Sequence, residues 1–166
     1  FRVDVTPPLG HPLLAGLVPP AAAVEDPLSA VGLILCRDDR PVVLVAVDWC
    51  EIRNDAYQAW RDSIAAAVGT DPHRVLVASV HQHDAPLADL AAERLLADRG
   101  LAKDTPSGAA IIQPAFHASV LQRVSEAVSP AARLYRPITH LAWVNADVER
   151  VASNRRYLRT DGSPAF

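Results

Sequence analysis

An α/β fold is what this sequence predicts: a mixed β-sheet with flanking helices that contains a β-α-β unit. Three observations carry that expectation. Ala30 to Cys36 and Val42 to Val47 are apolar runs, the second dense in β-branched residues, and the charged Arg37-Asp38-Asp39-Arg40 lies between them. From Ile52 the period changes, with Ile52, Ala56, Trp60, Ile64 and Val68 recurring every four residues. Arg74 to Val80 is again strand-like. The strands on either side of the helix are therefore expected to be parallel, with a right-handed crossover.

Each element has its own reason. Phe1 to Val5 alternates apolar and polar residues before Thr6-Pro7-Pro8, which predicts a short strand and then a Pro-, Ala- and Gly-rich loop to Pro27. The two apolar runs should form an antiparallel pair turning at Arg37 to Arg40, the second member buried on both faces. Gly69 is placed to terminate the first helix. Leu87 to Arg99 reads as a helix ended by Gly100, and Leu101 to Gln113 as a loop. Pro114 to Val128 reads as a helix with Pro in its first turn and Phe116, Val120, Val124 and Val128 on one stripe. Pro130 to Pro137 is expected to break it, Ile138 to Val151 to form a long alternating strand, and Ala152-Ser153-Asn154-Arg155-Arg156 to follow as a polar segment.

Composition narrows the function classes. With 166 residues, 50% of them apolar and 21% charged, the chain can bury its own core and is not disordered, collagen-like or a disulfide scaffold. Sixteen Lys and Arg against nineteen Asp and Glu leave a net charge of −3, so no basic footprint points to nucleic acid or an anionic membrane. A small molecule or another protein is the expected partner. Stretches such as Pro41 to Val47 are too short to be transmembrane. The chain opens at Phe1 rather than Met and stops soon after the turn at Asp161, so both ends are read as cut and the domain as incomplete. Localisation and oligomeric state stay open. In a hairpin around Arg37 to Arg40, Cys36 falls opposite Pro41 and Cys50 lies out of reach, which argues against a disulfide.

The segment Ala78-Ser79-Val80-His81-Gln82-His83-Asp84-Ala85-Pro86 places two imidazoles at i and i+2 where a buried strand ends. Strand alternation would send both rings to one side. The preceding parallel strand ends nearby as Asp48-Trp49-Cys50-Glu51, at the carboxyl edge of the sheet where α/β folds bind ligands. Imidazole with carboxylate is a standard donor set for Zn²⁺, which lowers the pKa of its water to about 7. The plainer alternatives are structural: a His-x-His pair can cap a strand end, and Asp48, Glu51, Asn54 or Asp55 can cap a helix. His11, His73, His117 and His140 are better explained as structural residues than as ligands.

Four phrases in order carry a resemblance: Val3-Asp4-Val5-Thr6-Pro7-Pro8, Val43 to Asp48, Val80 to Pro86, and Ser153-Asn154-Arg155-Arg156. Together they resemble the neutral/alkaline non-lysosomal ceramidase-like family, whose members have a Val-Asp-Ile-Thr-Pro type opening, a strand ending in Asp, a Thr-His-Thr-His-Ser-Gly-Pro strand end and an Asn-Arg-Ser-Pro type segment. The resemblance implies a zinc-dependent amidase, this chain being the N-terminal part of its catalytic domain. It implies that His81 is a metal ligand and that His83, the second metal residue, lies close to the metal-bound water and substrate as proton shuttle or hydrogen-bond donor. Arg155 would face the carbonyl or the released carboxylate, with Asn154 and Asp48 also at the substrate. The family's remaining ligands, a His, a Glu and a Tyr, would fall beyond Phe166. Gln82, Asp84 and Ala85 stand where the family has Thr, Ser and Gly, and Arg156 where it has Ser, which argues against ceramide itself as substrate.

The expected activity is thus hydrolysis of an amide bond in a ceramide-like or other N-acyl, small-molecule substrate, with Zn²⁺ as cofactor. The loops Leu13 to Ala23 and Leu101 to Ile112 have enough apolar residues to line a lipid groove, or to serve as packed lids. Two alternatives stand beside it. Cys50 could be a nucleophile with His81 or His83 as base. The scaffold could also be a non-catalytic module binding a small ligand or partner, with the histidines serving structure.

Overall fold

A computed structural model describes residues 1–37, 40–101, 105, 107–149 and 157–165. In the first of two units, Phe1–Tyr135, apolar alternation builds four strands. These are β1 (Arg2–Asp4), β2 (Ser29–Leu35), β3 (Val42–Val47) and, after the short pair member β4 (Glu51–Ile52) and helix α1 (Asn54–Val68), strand β5 (Val75–Ser79). Their order is β1-β2-β3-β5. β2 and β3 are antiparallel with Leu35 opposite Val42, as the charged turn predicts, and β3 and β5 are parallel with Val43 opposite Val75. The α/β class and the β-α-β unit are therefore present. Cys36 and Cys50 are both free.

Helix α1 ends where glycine allows it: Gly69 takes φ 73° and its N–H donates to Ala65 O. Downstream come β6 (Leu87–Ala88), α2 (Leu90–Asp98) and α3 (Pro114–Ala131). Ala56, Trp60 and Ile64 of α1 and Phe116, Val120, Val124 and Val128 of α3 share one buried core with Val43, Val45, Val47, Val75 and Val77 of the sheet.

Four expectations are corrected. β3 is buried on one face only: Val43, Val45 and Val47 are buried while Leu44 is 39% exposed, as are its neighbours Val31, Leu33 and Leu76 to a greater degree. The helices share the core with the opposite face, so β-branched density does not mean two-sided burial here. Leu87 and Ala88 do not open a helix but pair in parallel with Glu51 and Ile52. The helix begins only after Asp89, whose carboxylate accepts the Ala92 N–H. Helix α3 runs to Ala131, three residues past the expected end at Val128, and stops within the Pro130 to Pro137 segment expected to break it. In the second unit, Arg136–Phe166, the expected strand over Ile138 to Val151 is absent from its described part, residues 138–149. That stretch is exposed, Leu141 by 90% and Trp143 by 89%, and alternation alone does not make a strand without a ladder to join. Val151 and the polar segment 152–156 lie outside the described residues. The second unit holds a small hairpin, β7 (Tyr157–Leu158) with β8 (Pro164–Ala165). Among the described residues no helix is long and apolar enough to cross a membrane.

Candidate functional site

The parallel strands β3 and β5 bring two carboxyl ends together, Val47 opposite Ser79. Past β5 the chain stays tied to the continuation of β3: Val80 N–H donates to Val47 O at 3.1 Å and His81 N–H to Trp49 O at 3.2 Å. His81 has φ 63°, a left-handed conformation that costs a non-glycine residue about 1 kcal/mol. The strand thus ends at Ser79, and period-two alternation does not govern the two histidines as expected. A turn does it instead, leaving the His81 and His83 rings 5.3 Å apart between centroids and inclined at 80°.

The surroundings of His81 select its tautomer. Its Nδ1 lies 3.2 Å from Cys50 O and 3.4 Å from Glu51 Oε1, both acceptors. A proton on Nδ1 would serve both acceptors and leave the Nε2 lone pair free, the arrangement that carboxylate-backed imidazole ligands use. Glu51 Oε2 is buried and lies against Arg53 Nε without hydrogen-bond alignment. Cys50 is buried with Sγ 3.8 Å from the same Nδ1, and burial first, then the Glu51 charge, pushes its thiol pKa up. Both effects oppose the thiolate that a cysteine nucleophile needs.

Zinc tests this donor set by size. With Zn–N bonds of about 2.0–2.1 Å and tetrahedral angles, two imidazole ligands have centroids about 5 Å apart. The 5.3 Å separation is of that size. Among the described residues, no group of three or more His, Cys, Asp or Glu side chains is arranged to hold a metal.

Asp48 sits at the end of β3, but its Oδ2 accepts the Ser29 N–H at 2.8 Å and so ties β2 to β3. It caps no helix. Gln82 reaches back and donates from Nε2 to Asp48 O at 3.2 Å. Asn154, Arg155 and Arg156 lie outside the described residues.

A cleft of about 540 Å³ adjoins the histidine segment, with Gln82 and Asp84 in its wall. Most of the rest comes from residues 18–26, so part of the Leu13 to Ala23 loop lines the cleft, whose wall is mixed polar and apolar. Between the lining residues Leu13 and Val18 the chain makes a left-handed turn in which Leu14, Ala15 and Gly16 have φ 46°, 54° and 77°. Leu14 N–H donates to Ala85 O at 3.0 Å, tying that turn to the histidine segment. The described part of the Leu101 to Ile112 loop is not in the cleft wall but packs inward, with Ala109, Ile111 and Ile112 buried.

The other histidines take structural places. His11 is buried, with Nδ1–H donating to Pro12 O at 2.7 Å and Nε2 accepting the Gln113 N–H at 3.3 Å. Burial lowers its pKa. His117 is buried, and desolvation lowers its pKa to about 4. His73 accepts from Arg61 at 3.0 Å and His140 pairs with Thr139, both at exposed positions. Sequence reasoning missed Glu93, a buried carboxylate that accepts N–H bonds from Ala110, Ile111 and Ile112 at 3.2, 2.6 and 3.1 Å. Its signal was a charge at the centre of the Leu90–Leu96 stripe.

No family model, curated protein or solved structure matches the chain.

Proposed function

We propose that this chain carries part of the active site of a zinc-dependent hydrolase that cleaves an amide bond in a small N-acyl substrate. The observation that carries the reading is the adjacency of the His81 and His83 rings at the carboxyl edge of the β3–β5 pair, beside a cleft. The resemblance to the ceramidase-like family points the same way, with this chain as the N-terminal portion of that catalytic domain.

A zinc ion held there supplies Lewis-acid polarisation of the amide carbonyl and an activated water. His81 contributes Nε2 as ligand, its ring held in the Nδ1–H tautomer by Cys50 O and Glu51. His83, beside it and exposed, is placed to hold the cation or to pass a proton to the departing amine nitrogen. Arg155 takes the developing negative charge on the carbonyl oxygen, a role assigned from the Asn154-Arg155 phrase alone. Asn154 belongs to the substrate side on the same ground, and Asp48 on that of the Val43 to Asp48 phrase. Water adds across the C–N bond, giving a carboxylic acid and an amine.

The test is hydrolysis of a panel of N-acyl amides by the full-length protein. Activity should vanish with a chelator, return with added Zn²⁺, and be lost in His81→Ala. Undiminished turnover in metal-stripped protein, or turnover blocked by thiol alkylation but not by chelation, contradicts it.

A further inference from the structure

The sheet of the first unit buries one face against its helices and leaves the other bare. On the bare face Val31, Leu33, Leu44 and Leu76 are exposed, and so are Ala46 and Ala78. The register gathers them into two rows across the strands. Leu33, Leu44 and Leu76 form one, and Val31, Ala46 and Ala78 form the next. The leucine row stands high and the alanine row low, about 7 Å apart along the strands. The charged side chain in these rows is Arg2, at the β1 edge beside Val31, where it donates to Ser29 Oγ.

A second copy of this chain fits the face in shape, charge and area. A twofold axis running across the strands between the two rows sets the leucine row of one copy over the alanine row of the other. It does so twice, at the roughly 10 Å spacing of stacked sheets. Arg2 stays at the rim, so the pairing brings no like charges together in its centre. With the flanking Leu35, Val42 and Val80, each copy offers about 500–600 Å² of exposed surface. Two copies then bury about 1,000–1,200 Å², which clears the roughly 1,000 Å² that a specific interface needs. We propose that the bare face of the β2-β3-β5 sheet is the interface of a symmetric homodimer, two sheets packed face to face with leucines seated on alanines.

Sedimentation equilibrium of the full chain between about 1 and 200 μM tests this, in chelator so that no metal bridges the chains. An interface of this size should give a reversible monomer–dimer equilibrium in the micromolar range, with nothing larger, because an isologous pairing closes on itself. Leu44→Glu places a carboxylate in the middle of each face and should weaken the dimer at least tenfold. Ala46→Leu separates interlocked rows from general stickiness. It adds apolar surface but fills the low row that receives the partner's leucines, and should weaken the dimer about fivefold. Both positions are exposed, so the circular dichroism of each variant should match the wild type. A chain that stays monomeric throughout, an open series of larger species, a dimer that Leu44→Glu leaves intact, or one that Ala46→Leu strengthens overturns the proposal.

Discussion

Glu93→Ala removes the acceptor on which one loop of the first unit depends. The carboxylate is 4% exposed and takes the N–H groups of Ala110, Ile111 and Ile112. Ile112 is fully buried and Ile111 nearly so, so at least two donors lose their partner in a place with little access to water. An unsatisfied buried donor costs about 1–3 kcal/mol, which puts the loss at about 3–4 kcal/mol once partial relaxation is allowed for. That is a large part of the about 5–15 kcal/mol that holds a domain together. The same loop supplies Gln113 N–H to His11 and packs Ala110 O close to Gly16, so the damage should spread to the wall of the cleft. Urea unfolding at pH 7, followed by the fluorescence of buried Trp49 and Trp60, reads it directly. With a slope of about 2 kcal/mol/M the midpoint should fall by about 1.5–2 M, and Glu93→Gln, which keeps one acceptor oxygen, should fall by less. A midpoint within about 0.2 M of wild type at unchanged slope would refute the assignment of Glu93 as the loop's anchor.

Other outcomes follow from the same coordinates. His117 has a folded pKa of about 4, below the unfolded value of about 6.5, so between those limits the unfolded chain binds the proton first. Stability should be full above about pH 6.5 and fall by up to about 3 kcal/mol as pH drops towards 4, with His11 adding in the same direction; His117→Leu should flatten that slope in urea titrations taken at several pH values. Gly69→Ala forces a side chain into φ 73° and should cost about 1 kcal/mol, read as a lower thermal midpoint. Asp48→Asn keeps an acceptor oxygen for Ser29 N–H and should change stability by less than about 1 kcal/mol, whereas Asp48→Ala leaves that donor unpartnered and should cost about 1–2 kcal/mol in the same assay.

Much of the first unit is legible in the sequence because its signals are local. The β2–β3 register follows from a charged turn between apolar runs, and α1 from a four-residue stripe closed by Gly69. What fails is what depends on partners far along the chain. Val42 to Val47 reads as buried throughout, yet only the face that shares the helices' core is covered. Leu87 and Ala88 read as helix because their pairing with Glu51 and Ile52, more than thirty residues away, leaves no periodic trace. Ile138 to Glu149 has strand alternation but no ladder within its described part. At the site, the histidine pair is visible as a motif, but its geometry comes from a left-handed His81 rather than from strand alternation. Glu51 is one acid among several in the sequence until the fold sets it against His81 Nδ1, and the loop that Glu93 anchors lies beyond the reach of helical periodicity.

The central claim is that His81 and His83 hold a divalent cation together. Metal analysis of the purified full-length protein after exhaustive dialysis against metal-free buffer measures it most directly. The account predicts close to one zinc per chain in the wild type, and at least tenfold weaker retention in His81→Ala and in His83→Ala, both folded by circular dichroism. Wild-type protein free of zinc after loading, or zinc retained undiminished without both rings, contradicts it.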